Sequence, residues 1–366
     1  MIGRIILGNI FNRPLRTLVS ILAVSVEVAV VIIIVGLTNG MLQETAKRIE
    51  GVGADIMLQP PSASIFLAFN GAPMPVRIGD RLRQLRYVQS VAPVLLQVNS
   101  IGGIDIVYGI DPDSFRAVSG GFVFLQGQDM SGPDDVLLDD WAARSKNIKV
   151  GETFRMLEHD FHVVGIVEHG KGARIFVPLT TMQELTGARD KASIFFLKCT
   201  RTDHTATVME QLKIIVPGYE VRPLKDFLSL MTPTSLPGLD TFVRSMIALA
   251  MAIGFLVIFL SMYSSVVERT RDIGVLKSLG ASKAYIVQAL LSEIALVCGA
   301  GILFGIGVSY LTRAFFLSVF PTLSILITAD WIFRAALIAV GGGMLGALYP
   351  AWLASRKDIV EALAYE

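Results

Sequence analysis

Charged side chains that could bind another protein are concentrated in one short stretch between two apolar runs. Glu268, Arg269, Arg271 and Asp272 fall within five positions, directly after an apolar run that ends near residue 267. Gly280 follows, a residue type that ends helices because it adopts left-handed backbone conformations without strain. Between Asp272 and Gly280 lie one lysine and several apolar side chains at helical spacing: Ile273, Val275, Leu276, Lys277 and Leu279. The pattern predicts a short amphipathic helix with a charged edge. A helix of this kind is suited to binding a partner protein.

Side chains suited to catalysis or metal binding are sparse. The sequence contains no Gly-x-x-x-x-Gly-Lys-Ser/Thr phosphate loop and no evident Ser-His-Asp or Cys-His order. His159 and His162 lie three apart in a strand-like stretch, which sends them to opposite faces. Cys199 and Cys298 fall in a polar region and an apolar run, so we expect no disulfide between them. We therefore expect no catalytic, metal-binding or cofactor-binding residues here; any ATP and Mg²⁺ would be bound by a separate subunit.

A single carboxyl, Glu27, lies near the middle of the first apolar run. A charge at the centre of a membrane helix costs about 2.5–3.5 kcal/mol on insertion scales, so the group should be neutral, paired or facing water. Two interpretations stay open. Glu27 either contacts substrate or a proton at a seam between subunits, or is a neutral carboxyl hydrogen-bonded to a neighbouring helix; the second is favoured.

Glycines recur in the later apolar runs. Gly301 and Gly305 lie four apart, and Gly341 and Gly346 follow in the last run. Small residues at such spacing let helix backbones approach closely. We predict that these four glycines serve helix packing, in preference to a gate.

Composition places the chain among membrane proteins. Its 366 residues are 53% hydrophobic with a mean hydropathy of +0.60, too apolar for a wholly soluble protein, and a net charge of +1 gives no reason to expect a nucleic-acid partner. Residues 40–240 hold 20 Lys and Arg against 23 Asp and Glu, while the rest of the chain holds 12 against 8. This distribution indicates a near-neutral domain set between membrane segments with basic flanks.

Four apolar runs are long enough to cross a hydrocarbon core of about 30 Å. We predict transmembrane helices at 15–39, 242–267, 294–312 and 331–352. Residues 1–14 predict an amphipathic interfacial helix. Arg4, Arg13 and Arg16 put the N-terminus in the cytoplasm by the positive-inside rule, since no acid lies among them. Four crossings then make the charged segment 268–293 and the tail 353–366 cytoplasmic.

Residues 40–240 are the predicted extracytoplasmic domain. Their strand and helix patterns form two β-α-β halves of an α+β sandwich, separated by a mostly β insertion at 112–190. Within this domain, the apolar stretch 62–75 is either a loop folded into the core or an exposed patch that meets membrane, cargo or a partner.

Three stretches of sequence resemble one known family. They are VVERTRDIGVLKSLGASKAYIVQALLSE in the middle, GNIFNRPLRTL near the start and YPAWLASRKDIVEALAYE at the end. Together, and in this order, they are similar to the FtsX/MacB-type permease superfamily of ABC transporters, specifically its MacB-like and LolC-like four-span membrane subunits. Ile359 departs from the family pattern, which usually has proline there.

The resemblance implies the permease subunit of an ABC exporter with a porter-like external domain. It further implies a homodimer carrying two ATPase subunits, a possible periplasmic adaptor, and mechanotransmission that moves a lipid-like, lipoprotein, peptide or drug cargo. By resemblance the ATPase docks on a set of residues in the charged segment: Glu268, Arg269, Arg271, Ile273, Leu276, Lys277 and Gly280.

Two alternative functions remain. A non-transporting, FtsX-like regulator of a cell-wall hydrolase would use the same machinery, although members of that branch usually have a smaller external domain. A proton-driven carrier would rest on Glu27 alone.

Overall fold

The computed structural model describes residues 14–61, 73–99, 105–226, 234 and 238–357. The chain divides into two compact units. The helical unit comprises Met1–Gly40, Leu236–Val319 and Leu323–Glu366, and the sheet unit comprises Met41–Ser235 and Phe320–Thr322. The predicted interfacial helix before Pro14, most of the apolar stretch 62–75 and the tail beyond residue 357, with Ile359, lie outside the described residues.

Ten α-helices occur in the described part of the chain. They are α1 Pro14–Glu50, α2 Ile78–Arg83, α3 Pro112–Ser119, α4 Asp140–Lys146, α5 Leu179–Leu185, α6 Thr205–Ile215, α7 Leu239–Glu268, α8 Thr270–Ser278, α9 Lys283–Val319 and α10 Ala329–Arg356. Four of them, α1, α7, α9 and α10, are long and apolar enough to cross a membrane. The predicted fold class, four such helices plus an α+β domain, is confirmed.

The long helices extend beyond their apolar runs. Helix α1 continues past residue 39 to Glu50, and α9 begins at Lys283, well before the apolar run at 294. Polar turns continue a helix readily once its apolar part is packed, because each added residue contributes one further backbone hydrogen bond. Helix α1 thus contributes Pro14–Gly40 to the helical unit and its last turns to the sheet unit.

The core of the helical unit is built from small and β-branched side chains. Val24 and Val28 of α1, Ile258 of α7 and Ala339 of α10 are among its most buried members. Cys298 of α9 is buried in the same core, whereas Cys199 lies in the sheet unit, and neither forms a disulfide.

The sheet unit contains twelve short strands among its described residues. They are β1 Ile56–Gln59, β2 Met74–Pro75, β3 Val88–Asn99, β4 Asp105–Ile110, β5 Phe124–Gly127, β6 Asp135–Asp139, β7 Thr153–Met156, β8 His159–Val167, β9 Ile175–Pro178, β10 Lys191–Ala192, β11 Ile194–Cys199 and β12 Glu220–Pro223. Ten strands form one sheet in the order β12-β1-β11-β3-β4-β9-β6-β8-β5, with β7 paired to β8. Strands β2 and β10 form a separate pair.

The predicted insertion at 112–190 is continuous with the rest of the sheet. Strand β9 pairs in parallel with β4, with Tyr108 opposite Phe176, and β6 pairs in parallel with β8. The middle of the sheet is buried on both faces: Phe195 and Phe196, neighbours on β11, lie in two different apolar clusters. Strand propensity marks where strands occur but not which strands pair, since pairing is decided by contacts between distant residues.

Helix α2 is short and is followed by a turn. It ends at Arg83, and Tyr87 has a φ of +76°, a left-handed conformation that no α-helix accommodates. The chain turns here so that β3 can begin at Val88 and pair with β11.

Candidate coupling segment

The charged segment contains a short helix, α8, set between two long ones. Helix α7 ends at Glu268, and α8 runs from Thr270 to Ser278. The Thr270 hydroxyl donates to the carbonyls of Val266 and Val267, at 3.0 and 2.8 Å, which satisfies acceptors at the break. A hydroxyl that bonds carbonyls of the preceding turn competes with continued helix, so the break has a local cause.

Gly280 terminates α8 with a defined backbone motif. Its φ of +92° is left-handed. Its N–H donates to the Lys277 carbonyl at 3.0 Å, while the Ala281 N–H donates to the Leu276 carbonyl at 3.0 Å. These two bonds form a Schellman cap. Ser282 then starts α9, since its hydroxyl accepts the N–H of Tyr285 at 3.2 Å.

The face of α8 that turns inward differs from the expected docking face. Ile273 is only 7% exposed and belongs to the core of the helical unit, and Leu276 is half-buried. Ile273 therefore cannot fill a cleft on a partner, because it already packs against helices of its own chain. The exposed apolar side chains are Val275, at 44%, and Leu279, at 80%.

Most charged residues of the segment are tied to other parts of the helical unit. Arg16 Nη1 of α1 lies 3.3 Å from Glu268 Oε2, and Arg269 Nη1 lies 3.2 Å from Glu293 Oε2 of α9. Lys277 Nζ donates to the carbonyl of Lys357 at 2.6 Å, just after α10. These contacts bind the ends of α8 to α1, α9 and the end of α10, so the residues expected to form a polar docking edge serve first as anchors. Arg271, by contrast, is exposed.

Glu27 is enclosed by helices of the same unit. It is only 4% exposed, and neither carboxylate oxygen has a hydrogen-bond partner among the described residues. The favoured expectation, a carboxyl hydrogen-bonded to a neighbouring helix, is thus not met there. Glu27 instead packs against Gly254 of α7 and lies near Gly342 of α10.

Three of the four predicted packing glycines lie at close helix approaches. A Cβ on Gly301 would stand 2.6 Å from Val24 Cβ, and one on Gly305 would stand 2.8 Å from Val28 Cβ, both on α1. A Cβ on Gly346 would stand 2.8 Å from the Phe255 carbonyl oxygen. Gly341 is exposed, with no described neighbour within 4 Å of its Cβ position, so its packing role stays a prediction. Gly341 lies five residues before Gly346 on α10, and this spacing places the two glycines on different sides of the helix.

A buried charge cluster in the sheet unit has no counterpart in the sequence-based predictions. Glu44 Oε1, on the last turns of α1, lies 2.8 Å from Arg48 Nε and 3.2 Å from Arg174 Nη2. Arg174, 8% exposed, also donates to the Thr322 carbonyl at 3.0 Å and stacks over Trp141, with Cζ 5.1 Å from the ring centroid. Arg174 thus joins the end of α1 to the Phe320–Thr322 segment.

Asp139 adds a buried carboxyl beside this cluster. It is 1% exposed, and its Oδ1 accepts the N–H of Ala142 at 2.6 Å at the start of α4. Burial raises the pKa of Asp139 to about 6, with Arg174 and Arg48 opposing that rise. Burial likewise lowers the pKa of Arg174, and the Glu44 carboxylate opposes that change. The only sequence signal for the cluster is the i, i+4 spacing of Glu44 and Arg48, which is common on helix surfaces.

Two of the histidines each contact one aspartate. His159 Nε2 lies 2.8 Å from Asp134 Oδ1, and His169 Nδ1 lies 2.9 Å from Asp140 Oδ1. No group of three metal-ligating side chains occurs in the part of the chain that the structure describes.

Two family descriptions match most of the chain. The MacB-like periplasmic core domain matches residues 17–215, and the FtsX-like permease C-terminal domain matches residues 244–359. Because together they cover most of the sheet unit and most of the helical unit, the match does not rest on one short motif.

Similar proteins agree with these matches. The "Macrolide export ATP-binding/permease protein MacB" of Sodalis glossinidius (strain morsitans) is 27% identical over 390 residues, which cover 96% of this chain and 58% of that protein. The "Uncharacterized ABC transporter permease YknZ" of Bacillus subtilis (strain 168) is 22% identical, covering 99% of this chain and 98% of that one. The chain therefore spans about three-fifths of the MacB relative. The solved periplasmic region of MacB from Actinobacillus actinomycetemcomitans is 17% identical, covers 50% of this chain and 95% of that one, and superposes with a TM-score of 0.40.

Proposed function

Because the chain belongs to the MacB-like, FtsX-like family of ABC transporter permeases, we propose that it is the membrane subunit of an ABC exporter driven by a separate ATPase. In this proposal the chain binds no cofactor itself, and ATP and Mg²⁺ are held by the partner. The working complex is a homodimer of this chain with two ATPase subunits, with or without a periplasmic adaptor. The cargo is lipid-like, a lipoprotein, a peptide or a drug.

The observation that carries the proposal is the exposure of apolar side chains on an anchored helix. Val275, 44% exposed, lies on α8, and Leu279, 80% exposed, directly follows its last residue. The ends of this helix are held by the Arg269–Glu293 pair and the Lys277–Lys357 contact. A large apolar side chain at the end of a rigid helix is suited to insertion into a pocket of a partner. We assign Val275 and Leu279 to the ATPase contact, with Arg271 at its rim.

The anchoring contacts suggest how movement of α8 would spread. A force on α8 would reach α9 through Arg269 and Glu293, and α1 through Glu268 and Arg16. Helix α1 continues without a break to Glu50, and its residue Glu44 binds Arg174. In this mechanism ATP-driven closure of the ATPases tilts α8, and α1 carries the movement into the sheet unit.

The orientation follows from the same proposal. The α8 end of the helical unit faces the cytoplasm of the bacterial cell, where ATP is available, so both termini are cytoplasmic. The sheet unit then lies outside the inner membrane.

The test compares two equally exposed apolar residues. Leu279→Asp, in a chain co-expressed with its ATPase, should reduce ATPase co-purification by about tenfold or more, since a hot-spot anchor typically contributes about 2 kcal/mol or more. Ile214→Asp on α6, also 80% exposed, is the matched control and should change nothing. ATP turnover and cargo export in the reconstituted complex are the further readouts. Retention of binding, turnover and export by Leu279→Asp would contradict the proposal.

A further inference from the structure

A groove between the first turns of α9 and the last turns of α10 is not used by the proposed coupling mechanism. It has a volume of about 730 Å³ and opens to the surface of the helical unit. On α9 it extends from Lys283 to Ala295, and on α10 from Met344 to Arg356. With a helix rise of 1.5 Å per residue, each wall is about 18 Å long.

The lining of the groove changes character along that length. At the end near α8 stand two exposed cations, Lys283 and Arg356, and Trp352, whose ring centroid lies 4.2 Å from Arg356 Cζ. About one to two and a half turns further along α9, it is lined by polar Gln288 and Ser292 and by apolar Val287 and Leu291. Its far end is apolar, at Ala295 and Met344. The order is therefore cationic, then mixed polar and apolar, then apolar.

The charge at the cationic end is not balanced within the groove. None of the lining residues is acidic, and no ion pair joins Lys283 or Arg356 to another described residue. Two acids lie near the lining residues in sequence: Glu293, next to Ser292, forms its ion pair with Arg269, and Asp358, two positions after Arg356, lies outside the described residues. An anionic group at this end would face two cations with no competing carboxylate on the groove walls.

We propose that this groove binds one anionic phospholipid, with its phosphate between Lys283 and Arg356 and an acyl chain along the apolar end. Half of a hydrocarbon core of about 30 Å is about 15 Å, which is comparable with the whole length of the groove, about 18 Å. Tryptophan and tyrosine are enriched where acyl chains meet headgroups, and Trp352 lines the groove beside Arg356 at its cationic end. Basic pockets between transmembrane helices are suited to anionic headgroups in the same way.

The experiment measures lipid retention by the full-length chain. The chain is purified in detergent from mixtures of phosphatidylglycerol and phosphatidylcholine, and bound lipid is counted by native mass spectrometry. The parent should retain phosphatidylglycerol in preference to phosphatidylcholine. One cation near the headgroups contributes about fivefold to binding, so Arg356→Gln should lower retention about fivefold and the double variant with Lys283→Gln should remove the preference.

Two further variants distinguish lipid binding in the groove from non-specific attraction of lipid to the charge of the protein. Arg271→Gln, which removes an exposed arginine outside the groove on the neighbouring α8, should leave retention unchanged. Ala295→Phe, which fills the apolar end, should lower retention of both lipids. Excess inorganic phosphate should not displace the lipid, because the acyl chain also holds it. Thermal unfolding in phosphatidylcholine alone checks that every variant is folded.

The opposite results would overturn the proposal. Equal retention of phosphatidylglycerol by the parent and the double variant would exclude the cationic end as the binding site. An equal loss in Arg271→Gln would mean that the lipid responds to net charge alone. Displacement by inorganic phosphate, or no effect of Ala295→Phe, would exclude an acyl chain in the groove.

Discussion

The carboxyl group of Glu27 occupies the space where the side chain of residue 254 would lie. A Cβ built on Gly254 of α7 would stand 2.6 Å from Glu27 Cδ, closer than real Cβ atoms approach any neighbour. The two residues belong to the same antiparallel contact of α1 and α7 as Ser20 and Ser261, whose hydroxyl oxygens are 2.7 Å apart. A larger residue at position 254 would therefore force the carboxyl group of Glu27 to move.

Gly254→Ala should therefore destabilise the helical unit. Overpacking a close-packed contact typically costs about 1–3 kcal/mol, and we expect a lower midpoint of thermal unfolding for the purified chain. Glu27→Ala in the same chain should restore most of the loss, since it empties the space that the new methyl group needs. The double-mutant cycle is the measurement; additive effects of the two changes would contradict the contact.

Glu27→Gln separates a structural role of this residue from a proton-linked one. The amide has the same shape as the carboxyl and carries no proton that titrates, so assembly and most export activity should persist. Transport assays in proteoliposomes, with thermal unfolding as the control for folding, test this. Complete loss of export by a folded Glu27→Gln chain would favour the proton-linked role.

Arg174→Ala should strongly destabilise the sheet unit. The change leaves Glu44 with Arg48 alone and the Thr322 carbonyl without its donor, and removing one partner of a buried ion pair typically costs about 3–5 kcal/mol. Arg144→Ala is the control, because Arg144 is 63% exposed and pairs with Asp140 at the surface, where such pairs contribute about 0–1 kcal/mol. Thermal unfolding and limited proteolysis measure both; equal effects would show that the cluster does not stabilise the fold.

Asp139→Asn should make the stability of the protein less dependent on pH. Burial raises the pKa of Asp139 from 3.8 to about 6, so between these values the folded chain binds more protons than the unfolded chain. Stability due to this group is therefore present at low pH and is lost as pH rises toward 6. The asparagine keeps the oxygen that accepts the Ala142 N–H.

The measurement is unfolding of parent and variant at a series of pH values. A pKa change of this size corresponds to about 3 kcal/mol. The stability of Asp139→Asn relative to the parent should improve by about that amount between about pH 4 and about pH 7. A difference between the two that is constant over this range would contradict the assignment.

The proposed orientation predicts which residues a membrane-impermeant thiol reagent reaches in intact cells. Arg201→Cys, at a side chain 72% exposed in the sheet unit, should react, and Ser278→Cys on α8 should not. The parent chain supplies the background, because Cys199 and Cys298 are both buried. Reaction at position 278 but not at 201 would reverse the proposed topology and exclude the coupling mechanism.

Composition and local sequence pattern were sufficient to predict several features of the structure. Apolar runs of about twenty residues predict spanning helices in any context, because the length of a hydrocarbon core sets the requirement. Gly280 was predicted to end α8 because a left-handed cap follows from the residue type. The α+β class of residues 40–240 was also predicted, since alternating apolar residues mark a half-buried strand wherever it lies.

Which face of α8 is exposed could not be read from the sequence. Ile273 and Leu276 are three residues apart and Val275 and Leu279 four apart, so both pairs are spaced as one helix face. Only the packing of α8 against the long helices places Ile273 in the core and leaves Leu279 at the surface. Likewise, Gly341 and Gly346 are equally small, and only the position of α7 makes Gly346 the contact.

The sequence by itself therefore determined the four spanning helices, the broken segment between α7 and α9, and the family. Each of these depends on residue type and on neighbours within a few positions. Tertiary structure alone decided the Glu44–Arg174 contact, the fit of Glu27 against Gly254 and the Lys283–Arg356 groove. The residues of these contacts are separated by between 73 and 227 positions in the sequence. Burial and charge pairing at such separations depend on which distant segments pack together, and no local pattern records that.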